Sequence, residues 1–260
     1  MVTAAFRFYA ELNDFLPPDR RRREFAVACA EAATTKHMIE ALGVPHTEVE
    51  LILVNGVSAG FDLLLREGDR VAVYPHFAAL DVTSLQRVRA EAPHPRRFVA
   101  DAHLGGLARL LRMAGFDALY RNDFHDRELA AIASDEGRIL LTRDRDLLKH
   151  RGITHGCYVH ALQPSLQFTE IVRRLDLAAD VRPFSRCLEC NATLQSVDKH
   201  DVLDRLPPVV RTQHEHFTTC VACGRVYWAG SHWKRMQALL AATLDDATPD
   251  EAKVSVSGTA

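Results

Sequence analysis

Two short apolar runs that each end in an aspartate constrain the fold of this chain more than any other feature. Residues 98–101 read FVAD, and residues 138–144 read RILLTRD. Strand and helix patterns alternate through this part of the chain, which predicts an α/β fold with a parallel sheet and crossover helices. In open sheets of this kind, functional groups collect beyond the carboxyl ends of the strands. The sequence therefore predicts that Asp101 and Asp144 share one acidic pocket.

The chemistry of such a pocket follows from its charge. Two carboxylates a few ångströms apart repel each other unless a cation neutralises them. Hard oxygen ligands suit Mg²⁺ or Mn²⁺, and these ions can activate a water and clamp a phosphodiester. Arg109 and Arg112 on the first helix, and Arg143 beside the second acid, are predicted to contact phosphate. Each aspartate can equally be a helix N-cap, and the residues by themselves leave both interpretations open.

Four cysteines in two pairs predict a second kind of site. Cys187 and Cys190 form one CxxC motif, Cys220 and Cys223 form another, and 29 residues separate the inner cysteines. Each pair can present two thiolates from one turn to a single ion, and four thiolates complete a tetrahedral zinc site. The separation exceeds the usual 15–20 residues, so we expect an inserted loop. Redox pairs or buried thiols are the alternatives. Zinc is favoured, in a structural role, because four cysteines leave no position for water.

The first 75 or so residues have the order strand, strand, helix, strand, strand, which is typical of a β-grasp domain. Thr34 or Thr35 is the expected cap of the helix, and Asn55-Gly56 predicts a hairpin. The stretch EALGVPHTEVELILVNG resembles the ubiquitin-like sulfur carriers, but the chain continues past Tyr74 without their terminal diglycine. A binding or stabilising module is therefore expected here. The arginine run at residues 20–23 is interpreted as a solvated loop in preference to an RNA contact.

Composition excludes several classes of partner. The net charge of −2 gives no global attraction to nucleic acid, so RNA binding must depend on local patches. No apolar run approaches the ~20 residues needed to span a bilayer, and the first residues lack the plan of a signal peptide. We expect no membrane association and a cytoplasmic location, in which the six cysteines serve as metal ligands or free thiols.

Several stretches resemble the Mut-seven C-terminal RNase family, a group of PIN-like nucleases. FVADAHLGGLARLLRMAGFDALYRND and RILLTRDRDLL carry the resemblance, and it continues through SRCLECNATL and CVACGRVYWAGSHW to cover residues 96 to 238. It implies that Asp101 and Asp144 are catalytic acids, with Asp146 close behind. It also implies one more acid from the intervening segment, for which Asp123 is named and Asp126 and Glu128 compete. Some bacterial members of the family carry a ubiquitin-like N-terminal domain.

These observations predict a β-grasp domain at residues 1–92, a PIN-like nuclease domain at 94–180, a zinc ribbon at 182–240 and a disordered tail at 245–260. The expected function is a divalent-metal-dependent ribonuclease with structural Zn²⁺ and catalytic Mg²⁺ or Mn²⁺. RNA is the expected partner, and a protein partner is a further expectation for the β-grasp domain. The alternative is a non-catalytic RNA-binding or adaptor protein that uses the zinc ribbon and the β-grasp domain.

Overall fold

A computed structural model describes residues 1–76, 83–88 and 92–247 of the chain. In chain order the strands are β1 (Val2–Phe8), β2 (Phe25–Cys29), β3 (Leu51–Val54), β4 (Val57–Ala59), β5 (Arg70–Tyr74), β6 (Arg97–Ala100), β7 (Asp117–Tyr120), β8 (Ile139–Thr142), β9 (Gly156–Tyr158), β10 (Leu194–Val197), β11 (Phe217–Cys220) and β12 (Val226–Trp228). The α-helices are α1 (Thr35–Ala41), α2 (Gly105–Met113), α3 (Asp126–Glu136), α4 (Arg145–Leu148), α5 (Pro164–Arg174), α6 (Lys199–Val202), α7 (Pro208–Gln213) and α8 (Ser231–Ala247).

The chain divides into two compact units. The first unit combines residues 1–103 with 123–158, and the second combines residues 104–122 with the chain from 159 onward. Both units take residues from the predicted nuclease segment, so a domain boundary near residue 92 stays a prediction. None of the helices in the described ranges is both long and apolar enough to cross a membrane.

The β-grasp sheet of the first unit has the strand order β2-β1-β5-β3-β4. β1 and β5 are parallel, and the other neighbouring strands are antiparallel. The side chain of Thr34 accepts the N–H of His37, which confirms the predicted cap of α1. Asn55 (φ 52°) and Gly56 (φ 83°) form the predicted turn between β3 and β4. The core beneath the sheet includes fully buried Phe6 and Ile39.

Three parallel strands of the first unit include the two that lead into Asp101 and Asp144. β8 pairs with β6 on one side and with β9 on the other, in parallel register. Phe98, Val99, Leu140 and Leu141 are all buried, as expected for parallel strands that are covered on both faces. α3 packs against β6 and β8. It ends at Gly137, whose left-handed conformation (φ 61°) turns the chain directly into β8.

In the second unit, α2 packs against β7 and α5, and α5 packs against α8. β10, β11 and β12 form an antiparallel sheet. Cys220 is the last residue of β11, and Cys223 lies in the turn between β11 and β12. The insertion that the cysteine spacing predicts contains α6 and α7, and Val202, Leu206 and Phe217 form its small core. α8 was not predicted. It continues through residues 245–247, the start of the predicted tail, and residues 248–260 lie outside the described part of the chain.

Candidate active site and metal centre

A cavity of about 470 Å³ lies at the carboxyl ends of the parallel strands. Asp101 directly follows β6, and Asp144 follows β8 by two residues, so adjacent parallel strands bring both acids to one edge. The structure therefore brings together four of the residues predicted from the sequence, namely Asp101, Arg143, Asp144 and Asp146. The lining residues are Asp101, His103, Asp126, Arg143, Asp144, Arg145 and Asp146.

One buried hydroxyl links the two acid-bearing turns. Thr142 Oγ1 donates to Asp101 Oδ2 at 2.6 Å and accepts the backbone N–H of Asp144 at 2.9 Å. Thr142 is fully buried, so these hydrogen bonds are shielded from water. Sequence analysis gave this residue no role. The available signal was a single hydroxyl at the end of an otherwise hydrocarbon strand.

The capping interpretation of the acids is correct for Asp144, and it does not compete with metal binding. Asp144 Oδ1 accepts the N–H groups of Asp146 at 2.7 Å and Leu147 at 3.2 Å, and it caps α4. Asp101 Oδ1 accepts the N–H of Ala102 at 2.6 Å. An ionised carboxylate offers about four acceptor positions on its two oxygens. Each carboxylate therefore retains acceptor positions for a cation.

The intervening segment contributes Asp126 to the cavity, whereas the sequence analysis named Asp123. Asp126 is the first residue of α3 and lines the cavity. Glu128 has another role, because its carboxylate accepts the N–H of His125 at 3.0 Å in a capping box. Asp123 precedes the helix and is not among the residues that line the cavity. Of these three acids, Asp126 is the one that lines the cavity, at the start of α3.

The carboxylates fit a Mg²⁺ or Mn²⁺ ion that is completed by other ligands. Mg²⁺ commonly takes one or two carboxylates and fills its octahedron with waters and substrate phosphate. In the described part of the chain, the four cysteines are the only group of three or more ligand atoms within 4.8 Å of one another. The acidic cavity therefore offers an incomplete shell. Asp101 and Asp144 would hold the ion, and coordination positions would remain for water and substrate.

The four cysteines form the second centre, in the second unit. The sulfurs of Cys187 and Cys223 are 3.6 Å apart, and those of Cys190 and Cys220 are 3.3 Å apart. A zinc–sulfur bond of about 2.3 Å implies a sulfur–sulfur distance of about 3.8 Å in a tetrahedron. The separations are close to that value, and the four thiolates complete the coordination shell. The cluster thus fits a structural zinc ion.

The surroundings of Cys187 favour a thiolate. Burial alone would raise the pKa of the Cys187 thiol, but hydrogen bonds from the N–H of Cys190 and the hydroxyl of Tyr227 lower that pKa to about 6. The hydroxyl lies 3.1 Å from the sulfur. Burial, followed by the nearby Cys187 sulfur, raises the pKa of Tyr227, so its hydroxyl keeps the proton that it donates.

Arg112 supports the cysteine cluster, in contrast to the predicted phosphate contact. Its side chain is buried and donates to the carbonyl oxygens of Ala118 (2.9 Å), Leu188 (3.1 Å) and Glu189 (2.7 Å). Two of these carbonyls belong to the turn of the first cysteine pair. Arg112 therefore ties α2 to that turn and places a positive charge near the thiolates. Arg109, whose side chain is 53% exposed, lies 3.7 Å from Glu189.

The aromatic residues near the cysteines pack inside the second unit. Trp228 packs against the small core around Phe217, and the rings of Trp233 and Phe184 lie 5.1 Å apart. By sequence these aromatic residues suit either packing or stacking on RNA bases, and the contacts favour packing. His232 is a further candidate for the active site by sequence, and its side chain lies outside the described residues.

Comparison with known proteins gives these sites a family. The sequence matches the Mut7-C RNAse domain over residues 96–240 and the Mut7-C ubiquitin domain over residues 1–81. The fold is therefore that of an α/β RNase-family domain preceded by a ubiquitin-like domain. The chain belongs to the Mut7-C RNAse family, because that match spans more than half of its length. This confirms the resemblance and the fold class predicted from the sequence.

One solved structure shows a further similarity. The small archaeal modifier protein 1 of H. volcanii aligns with 19% identity and a TM-score of 0.24, over 29% of this chain and 98% of that chain. None of the curated proteins compared with the sequence matches it.

Proposed function

We propose that this protein is a divalent-metal-dependent ribonuclease that hydrolyses RNA phosphodiester bonds at the cavity of Asp101 and Asp144. The observation that carries the proposal is the hydrogen-bonded link through Thr142, which joins the Asp101 carboxylate to the backbone N–H of Asp144 at the ends of two adjacent parallel strands. Membership of an RNase family supports the same reaction class.

Different residues of the cavity would bind the metal ion, position its ligands and contact the phosphate. Asp101 and Asp144 hold a Mg²⁺ or Mn²⁺ ion, which when bound supplies charge neutralisation and a water of lowered pKa. Thr142 fixes the Asp101 carboxylate, and the N–H groups at the start of α4 fix Asp144. Arg143 lines the cavity as a cation for the scissile phosphate.

The remaining acids of the cavity extend its negative charge. Asp126 and Asp146 both line the cavity, where their carboxylates would accept hydrogen bonds from a water or bind a second cation. The four-cysteine cluster takes no part in the reaction. It holds a structural Zn²⁺, because four sulfur ligands leave no coordination position for substrate.

The test is cleavage of labelled single-stranded RNA in Mn²⁺ by the wild-type protein and by Asp101→Asn and Asp144→Asn. Asparagine keeps the shape of the side chain and still caps a helix, so the fold should survive. Asp135→Asn, an exposed acid on α3, is the matched control. Loss of at least about 100-fold in both cavity variants, with full activity in the control, is expected.

Two outcomes contradict the proposal. Equal cleavage by all four proteins would show that the cavity is not the site of the reaction. RNA binding by the wild type with no cleavage in Mn²⁺ or Mg²⁺ would favour the non-catalytic RNA-binding or adaptor function.

A further inference from the structure

The loop between β1 and β2 carries four consecutive arginines, Arg20 to Arg23, which we call the arginine ledge. Three of them, Arg21 to Arg23, are exposed. No local sequence pattern connects this loop with the acidic cavity, because every residue that lines the cavity lies far along the chain from Arg23. The structure places both in the first unit, and contacts join them.

Arg145 lines the cavity and also contacts Phe15 in this loop. Its guanidinium lies 5.2 Å from the ring centroid of Phe15 and 5.9 Å from that of Tyr158. Its Nη1 also donates to the carbonyl oxygen of Phe15 at 3.4 Å. Phe15 is buried and packs in the β-grasp core, so the core anchors this end of the loop. A cation that lines the cavity is thus held against the ubiquitin-like domain.

Leu16, the residue after Phe15, forms a hydrogen bond with the ledge. Arg21 Nε donates to the carbonyl oxygen of Leu16 at 2.8 Å. Phe15 and Leu16 are consecutive, so their carbonyl oxygens lie no more than about 6 Å apart. The two hydrogen bonds therefore place Arg21 Nε within about 12 Å of the Nη1 of Arg145. One residue of the ledge therefore lies within about 12 Å of a residue that lines the cavity.

The rest of the ledge is also ordered by local contacts. The guanidinium of Arg20 lies 5.2 Å from the ring centroid of Phe25, at the start of β2. The backbone N–H of Arg22 donates to Asn13 Oδ1 at 2.6 Å, and Asn13 is buried. These contacts fix the backbone of the loop while the guanidinium groups of Arg22 and Arg23 face solvent. The backbone of the ledge is therefore held in place, and two of its arginines present their charges to solvent.

Charge identifies the partner of this surface. The acids of the cavity repel the phosphates of any RNA strand that extends beyond the bound ion, and the net charge of −2 gives no general attraction. Local cations along the path of the strand must supply that attraction. Grooves that bind single strands without base readout use positively charged groups that follow the backbone.

We propose that the arginine ledge of the ubiquitin-like domain binds the phosphate backbone of single-stranded RNA beside the acidic cavity. This inference rests on the proposed ribonuclease function. It makes the β-grasp domain a part of the substrate site, which goes beyond the expectation of a protein partner for that domain.

The test measures RNA affinity in the full-length chain, with the Asp144→Asn substitution present in every protein to prevent turnover. The ledge variant is Arg22→Gln/Arg23→Gln, because Arg20 and Arg21 also hold the loop. The control is Arg66→Gln/Arg151→Gln, which removes the same charge from two exposed positions. Arg66 precedes Glu67, whose carboxylate accepts the N–H of Thr3 at the end of β1 opposite to the ledge. Arg151 lies in the turn before β9.

We expect weaker binding of an unstructured oligonucleotide by the ledge variant and unchanged binding by the control. The slope of log affinity against log salt should fall by about 1.4, because each phosphate contact to a single strand contributes about 0.7. With Asp144 restored, the same substitutions should raise KM for RNA more than they change kcat.

The outcomes separate this inference from the ribonuclease proposal. If the wild type cleaves RNA but the ledge variant keeps both affinity and salt slope, the ledge inference is wrong and the reaction stands. The loop would then be a surface for a protein partner. If the ledge variant loses affinity while the wild type cleaves nothing, the ledge binds RNA and the ribonuclease proposal fails.

Discussion

The acidic cavity and the cysteine cluster both gather negatively charged ligand atoms, but they differ in how complete they are. The four sulfurs lie within 4.8 Å of one another, and Tyr227 and Arg112 support them. The carboxylates of the cavity do not form such a cluster, and their side chains line an open surface. A complete ligand set is suited to hold a fold together. An incomplete one would leave coordination positions for water and substrate, as the proposed reaction requires.

Removal of two cysteines should have the largest effect, because it destroys the complete ligand set. Cys190→Ser/Cys223→Ser deletes half of the ligands, and structural zinc contributes on the order of 10 kcal/mol of folding free energy in small domains. We expect zinc content to fall from one ion per chain to none, and the β10–β12 region to lose its protection from hydrogen exchange. Cys29→Ala, in the β-grasp core, should keep its zinc. Retention of zinc by the double variant would refute the assignment of the cluster.

Arg112 provides the next largest effect. Arg112→Gln removes hydrogen bonds from a buried cation to three carbonyl oxygens, and the free energy of unfolding should fall by about 3 kcal/mol. Arg109→Gln, on the same helix but exposed, should change it by less than about 1 kcal/mol. Denaturant titration of the zinc-loaded proteins measures both. Equal effects would mean that Arg112 does not hold the turn of the first cysteine pair.

Thr142 tests how the cavity is held in place. Thr142→Val keeps the shape of the side chain but leaves Asp101 Oδ2 and the N–H of Asp144 without their shared partner. Cleavage should fall about tenfold or more, and half-maximal activity should need more Mn²⁺. Thr142→Ser restores the hydroxyl and should restore both values. If serine and valine variants behave alike, the hydroxyl has no part in positioning the acids.

The smallest effect distinguishes the acids of the intervening segment. Asp126 lines the cavity, whereas Asp123 precedes α3. Asp126→Asn should lower the rate of RNA cleavage several-fold, and Asp123→Asn should leave it within about twofold of the wild type. Single-turnover rates at saturating Mn²⁺ give the comparison. A larger loss in the Asp123 variant would restore the choice made from sequence.

The sequence predicted those features that depend on residues close together in the chain. The apolar runs before Asp101 and Asp144 define strands locally, and each cysteine pair lies within a single turn. Parallel pairing of β6 with β8 then brings the acids together through a general property of such sheets.

Features that depend on distant partners were missed. Arg112 lies in a helix pattern that predicts a polar face, but the carbonyls that bury it are 76 and 77 residues further along the chain. The contact of Arg145 with Phe15 spans 130 residues. No local pattern records either partner, so neither role could be predicted. The same reason applies to α8, which packs against α5.

The most direct test of a metal site at the acidic cavity is a titration of Mn²⁺ into zinc-loaded protein. Electron paramagnetic resonance detects the bound ion. Wild type and Asp144→Asn are compared, and zinc is quantified in the same samples. We expect a Mn²⁺ site in the wild type that weakens at least tenfold in the variant, with one zinc ion per chain in both. Identical Mn²⁺ binding by the two proteins would contradict the claim that the acidic cavity is an open metal site.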